Sequence, residues 1–241
     1  MTIHFSSKTA STVFKILLAI IFVLILLHVI ALALDSIDNE SRLFDLIEDS
    51  FKRLFNVNEE ANIPTMYSSL ALMACSILLA VIAIAKKQTN RPYVVLWVIL
   101  SVGFLYLATD ETAIIHEMFN KPGQLIFGED SIDGLWIVFA AIPLALLAVF
   151  YWRFIFDLPP RTRNLFILAG GLYLFGTIGL EFFSSGLFEP DSGGIEGILY
   201  YGLQTLEEAI EMGSIALFIY ALLNYIHSEV GDIHILADGS A

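Results

Sequence analysis

Six stretches of this chain are each long and apolar enough to cross a bilayer, and nothing else in the sequence restricts its fold so severely. They run over about Thr12–Leu34, Pro64–Ala85, Pro92–Phe119, Leu135–Phe156, Arg163–Ser185 and Ile195–Ile226. A hydrocarbon core roughly 30 Å thick takes roughly 20 helical residues at about 1.5 Å each. Within it each backbone N–H and C=O must find its partner inside its own segment, which leaves the α-helix for runs of this length. Composition agrees, since 57% of residues are hydrophobic and the mean hydropathy is +0.77. That is well above a soluble domain, so the excess needs lipid to face. The expected fold class is all-α, with one integral membrane domain over residues 1–241. It is a polytopic helical bundle of six transmembrane helices, and the lipid bilayer is its first partner.

Lysine and arginine set the expected orientation. Lys8 and Lys15 flank the start of the first run, which reads as an anchor helix rather than a cleaved leader. Lys86, Lys87 and Arg91 fill the second loop, and Arg153, Arg161 and Arg163 fill the fourth. The first, third and fifth loops are acidic, over Asp35 to Glu60, Glu129 to Asp133 and Glu189 to Glu196. If every run crosses, all basic regions share one side. The expectation is a multipass protein of the cell inner (plasma) membrane with both termini cytoplasmic.

The net charge of −13 excludes nucleic acid as a partner, because phosphates would be repelled. One cysteine, Cys75, allows no internal disulfide and no cysteine-based zinc or iron–sulfur centre. In the first acidic loop, Leu43, Phe44, Ile47, Phe51, Leu54 and Phe55 recur at helical spacing between charged residues. This predicts one amphipathic helix, lying in the outer interface or capping the bundle.

The residues that point to chemistry are ionisable groups inside apolar helices. An acid at the bilayer centre costs roughly 2.5–3.5 kcal/mol on insertion scales, so such acids face a bundle interior or water. The third run holds Asp110, Glu111, His116 and Glu117; the fifth holds Thr177 and Glu181; the sixth holds Gln204, Glu207, Glu208, Glu211 and Ser214. On a continuous third helix, Asp110 and Glu117 share a face with Tyr106 and Ala113, with Glu111 and His116 to either side. Counted along each helix, Asp110, Glu181, Glu208 and Glu211 lie about 22–28 Å from the inner face. His28 of the first helix falls near that level, while His116 and Glu117 sit higher. Tyr106, Tyr200 and Tyr201 share faces with the acids.

So many carboxylates cannot all be charged side by side in a low dielectric. Protons or a cation must neutralise them. Oxygen-rich sites suit calcium or manganese, and an added imidazole tilts the choice toward iron, manganese or zinc. The expected cofactor is a divalent or redox metal ion. Its candidate ligands are Asp110, Glu111, His116, Glu117, Glu181, Glu207, Glu208, Glu211 and His28. Dimetal sites in helical bundles usually carry Glu-x-x-His. This sequence has none, and Glu208-x-x-Glu211 is its nearest counterpart. Glu111 and Glu117 are equally readable as solvated groups at the mouth, and a lone histidine such as His28 more often bonds a neighbouring helix. His28 with His116 is the one pair that could face across a haem.

Asn58-Glu59-Glu60-Ala61-Asn62-Ile63-Pro64-Thr65, Thr109 to Glu117 and Leu206 to Gly213 together resemble an uncharacterised group of bacterial multipass membrane proteins. The resemblance covers most of the helical core and implies no activity. It draws attention to Glu60 and Asn62, at the mouth above the acids.

Two functions fit. One is a metal-binding membrane protein with an outer-half centre, of the oxidoreductase or hydrolase type. The other is a proton or cation transporter or channel using the same acids. Inverted repeats in transporters would place the Asp110-Glu111 and Glu207-Glu208 pairs on opposite sides of the midplane. Both fall in the outer half, so the metal reading leads. A subunit of a larger membrane complex, or a homo-oligomer, is the third expectation.

Overall fold

The computed structural model describes residues 2–3, 6–35, 37, 41–119, 136–180, 183, 195–231 and 233–234. Among them are seven α-helices: α1 (Ser7–Asp35), α2 (Arg42–Phe55), α3 (Ile63–Gln88), α4 (Val94–Ala113), α5 (Trp136–Asp157), α6 (Pro160–Leu174) and α7 (Ile195–Tyr225). Wider π turns continue α6 over Phe175–Leu180 and α7 over Ile226–Val230. The one strand pairing joins the two ends of the chain, Thr2–Ile3 running antiparallel to Ile233–His234.

Five helices are long and apolar enough to cross a membrane: α1, α3, α4, α6 with its π turn, and α7 with its own. This makes the chain compatible with a membrane protein. Large apolar side chains such as Phe22, Val95, Val102, Phe150 and Trp152 stand exposed around the bundle, a surface a soluble monomer would not tolerate. The hub is α7, where 67% of the most apolar stretch is buried against 11% for α4. It packs against α6, α1 and α3, while α3 pairs along its length with α4.

Local chemistry explains the best-defined joints. The Asn62 side chain caps α3 by accepting the Thr65 N–H at 3.0 Å, with Pro64 in the first turn where its missing N–H costs nothing. Lys86 and Lys87 close the same helix, where cations suit the carbonyl end. Serines then zip α3 to α4. Ser76 Oγ donates to the Ser101 carbonyl at 2.7 Å, Ser101 Oγ returns a bond to the Ser76 carbonyl at 2.9 Å, and Ser69 Oγ reaches the Ala108 carbonyl at 2.7 Å. Small side chains let the two backbones approach closely enough for this.

The amphipathic helix expected from Leu43 to Phe55 is α2. No residue of it is fully buried, and Leu43, Leu46, Ile47 and Leu54 form an exposed apolar row. Lys52 Nζ donates to Asp35 Oδ1 at 2.8 Å, tying α2 to the end of α1. That bond holds the Lys52 ammonium above the usual lysine range, although so exposed a pair adds little stability.

The third apolar run departs from expectation. A continuous helix to Phe119 was expected, but α4 ends at Ala113. Ile114 takes a left-handed conformation, φ 55°, and its N–H closes onto the Asp110 carbonyl at 2.7 Å. A β-branched residue rarely adopts such a φ, so tertiary contacts hold this turn. The chain resumes as a short 3₁₀ turn over His116–Phe119.

Candidate functional site

α7 supplies the floor of the site. Glu207, Glu208 and Glu211 recur on a helical stripe, and Ser214 Oγ bonds the Glu211 carbonyl at 2.7 Å. Glu208 and Glu211 keep part of their surface open although bundle atoms surround them densely. From α4, Glu111 faces them. The charges acting on Glu208 are those of Glu111, Glu207 and Glu60, and those acting on Glu211 are Glu208, Glu207 and Glu111. Among the described residues no lysine or arginine joins either set.

The π turn after α6 completes the wall. The Thr177 hydroxyl donates to the Tyr173 carbonyl at 3.0 Å, one turn back along the same helix, and stands close enough to Glu211 to act on its carboxyl. Tyr173 itself stands within electrostatic reach of Glu211, Glu111 and Glu208. π turns frequently mark functional stretches of helices.

Gly176 makes this approach possible. A Cβ there would lie 3.0 Å from Glu211 Cγ and 3.4 Å from the Glu207 carbonyl oxygen. Gly176→Val is therefore expected to lower stability by about 1–3 kcal/mol through overpacking. Gly103→Ala, where nothing lies within 4 Å of the added carbon, should leave stability unchanged or raised. Thermal unfolding in detergent checks the pair, and equal melting temperatures would refute the close approach.

The mouth is built by the turn at Ile114. By folding the chain back, it brings the His116 N–H to Asp110 Oδ1 at 2.7 Å and His116 Nδ1 to Asp110 Oδ2 at 3.1 Å. On the other side His116 Nε2 lies 3.9 Å from Glu60 Oε1. The Glu60 loop is held by Asn62, whose Nδ2 donates to the carbonyls of Asn56 at 2.5 Å and Glu59 at 2.6 Å. Glu111 links the two groups electrostatically, since His116, Glu60 and Asp110 act on it and it acts on Glu208 and Glu211.

The expected ligands thus separate. Glu111, Glu207, Glu208 and Glu211 form an inner group; Asp110 and His116 pair at the mouth with Glu60. Asp110 was expected at the depth of Glu208, and among the charges acting on Glu208 it is Glu111, the next residue of α4, that takes part. His28 stands apart. It is fully buried, its Nδ1 accepts the Val57 N–H at 3.2 Å, and its Nε2 lies 3.0 Å from Thr205 Oγ1. Both ring nitrogens are engaged, so His28 joins α1, α7 and the Val57 loop instead of the acids. Glu181 and the Glu117 side chain lie outside the described residues. Among the described residues no three His, Cys, Asp or Glu side chains come together closely enough to hold a metal ion. Of the tyrosines, Tyr106 and Tyr201 are exposed, and Tyr200 accepts from Gln204 Nε2 at 2.8 Å. Tyr173 was missed because only the tertiary fold brings α6 against α7.

Beyond the acids α7 is closed. Met212, Ser214, Ile215, Ala216, Phe218 and Ile219 are buried. Phe218 stacks on Phe104 at 4.8 Å and touches Phe166 at 4.7 Å; Trp97 meets Phe154 at 4.9 Å and Tyr225 at 5.0 Å. Toward the Lys86 end, Trp97, Phe154 and Tyr225 also line a cavity of about 520 Å³ together with Lys86, Arg91 and Glu229.

No curated protein and no solved structure matches the chain. The sequence pattern that does match runs over residues 10–225 and takes in both layers of the site, so the chain belongs to the family described as Domain of unknown function (DUF8692).

Proposed function

We propose that this chain is a six-span membrane protein that binds a divalent or redox metal ion in a carboxylate centre opening to the external side. The observation that carries this reading is the inner group. Carboxylates from α4 and α7 act on one another, and no lysine or arginine is among the charges acting on Glu208 and Glu211. Such a group needs protons or a cation to neutralise it, and the metal reading takes the cation. Glu111, Glu208 and Glu211 are the proposed core ligands, with Glu207, Asp110 and His116 next to them; since no three such side chains converge among the described residues, they would have to close on the ion. Glu117 and Glu181 remain candidates from the sequence alone. Metal analysis of purified full-length protein tests this: a stoichiometric metal is expected, and its absence after metal reconstitution would overturn the reading.

A second reading has its own support. The lack of three converging ligands among the described residues favours protons as the neutralising charge. Metal-free protein would make proton exchange the function.

The sixth span is α5, a helix of 22 residues whose charges are confined to its last turns. The pairing of Thr2–Ile3 with Ile233–His234 supports an even number of crossings, since it joins the two ends. The basic loops then lie in the cytoplasm. A single cysteine at Ser41 should react with an impermeant thiol reagent on intact cells, while one at Gln88 should not; the reverse would invert the topology. Native Cys75 is fully buried and gives little background.

A further inference from the structure

We propose that the cavity between α2 and the Asn56–Asn62 loop binds the headgroup of a zwitterionic phospholipid with a primary ammonium group. The inference rests on the reading above only in taking the chain as membrane-embedded with this end outward. The cavity is about 510 Å³ and is lined by Asp49, Lys52, Arg53, Glu59, Glu60 and Ala61. Every lining residue but Ala61 is charged, and both signs are present. A ligand with one charge would meet repulsion from half of the wall, whereas one with separated opposite charges is matched by it.

The cations divide the work. Lys52 is committed to Asp35 at 2.8 Å. Arg53, on the same face of α2, forms no ion pair among the described residues, and its planar fork suits a phosphate. The carboxylates of Asp49 and Glu59 suit an N–H-bearing ammonium. No aromatic side chain lines the cavity, so nothing there selects a quaternary ammonium, which aromatic faces recognise. The acidic side of the wall disfavours a headgroup of net negative charge.

The wall is held in place before any ligand arrives. Asn56 Nδ2 donates to Glu59 Oε1 at 3.0 Å, the Asn58 N–H bonds Asn56 Oδ1 at 3.2 Å, and Asn62 binds two carbonyls of the loop. Ala61 sits at φ 56°, a strained conformation for a residue with a Cβ, of the kind held at ligand sites. The exposed row Leu43, Leu46, Ile47 and Leu54 lies on the same helix as Asp49 and Arg53. Val29, Ile30 and Ile37, on and just after α1, are exposed as well. A helix with this division lies at the headgroup level, its apolar face in the acyl boundary. Headgroups are therefore presented to the cavity from the side. Glu60, which lines the cavity, also faces His116 at 3.9 Å, so a bound headgroup lies at the mouth of the acid crevice.

Full-length protein reconstituted in an equimolar mixture of phosphatidylethanolamine, phosphatidylcholine and phosphatidylglycerol, then re-extracted, reports selection by mass spectrometry of its retained lipid. Phosphatidylethanolamine should be enriched about tenfold over the other two, the effect of one charge-assisted hydrogen bond. Arg53→Gln and Glu59→Gln should each remove most of that enrichment while leaving metal content and melting temperature as in the wild type. Equal retention of the three lipids, or enrichment indifferent to both substitutions, would overturn the proposal. Enrichment in a wild type that binds no metal would sustain the headgroup site and remove the metal centre.

Discussion

Replacing Glu208 and Glu211 together by glutamine is expected to lower bound metal by well over tenfold, since even second-shell partners of a metal commonly contribute about 10–100-fold in affinity. The same substitutions should leave the metal-free fold as stable as before or more so. Each removes a charge or proton held in a poorly solvated crevice, and the amide keeps the volume of the acid. The two readouts therefore move in different directions, which an ordinary loss of structure would not do. Elemental analysis beside thermal unfolding in detergent measures both. Unchanged metal content in the double variant would place the ion elsewhere.

The second large effect is expected at a residue outside the site. His28→Ala should lower stability by about 3–5 kcal/mol, combining the cavity left by a fully buried ring with the orphaned Val57 N–H. A backbone N–H can only donate, so Nδ1 accepts and the ring proton sits on Nε2, directed at Thr205 Oγ1. Thr205 in turn donates to the Tyr201 carbonyl at 2.7 Å. The chain of bonds runs from the Val57 loop through α1 to α7. His28→Gln, with one acceptor and one donor, should recover part of the loss. Metal content of the folded fraction should remain that of the wild type in both variants; metal loss in well-folded His28→Gln would return His28 to the ligand set.

Hydropathy carried most of the helical architecture because lipid leaves an apolar run of about 20 residues little choice. The expected Pro64–Ala85 is α3, Ile63–Gln88, and the expected Leu135–Phe156 is α5, Trp136–Asp157. The amphipathic segment was legible for the same kind of reason, its period matching a helix end to end. The site was legible only in composition. Helical-wheel placement assumed that α4 continued through His116, and the left-handed turn at Ile114 invalidated every angle beyond it. A β-branched residue gives no local sign of such a turn. Glu111 could not be chosen over Asp110 without knowing how α4 is rotated against α7, which the serine contacts to α3 help to set. Thr177 was noted as a neighbour of Glu181, yet its place near Glu211 depends on Gly176 allowing the π turn after α6 to approach α7, a fact of packing. The resemblance through Asn58–Thr65 singled out Glu60 and Asn62. They serve as part of the mouth and as the cap that fixes it.

The aromatic packing between Glu211 and the Lys86 end has an electrical consequence. In a membrane oriented as proposed, a centre reached from the external side and backed by packed aromatic rings would divide the transmembrane voltage unevenly. Little of it would fall on the external side of the centre, and most across the block of Phe104, Phe218 and Phe166. A unit charge crossing the whole field exchanges about 2.3 kcal/mol per 100 mV. An ion resting on Glu208 and Glu211 has traversed only the shallow fraction of that drop. Occupancy of the centre should accordingly follow the external ion concentration closely and the resting voltage weakly, which separates it from a carrier whose cargo passes the full field.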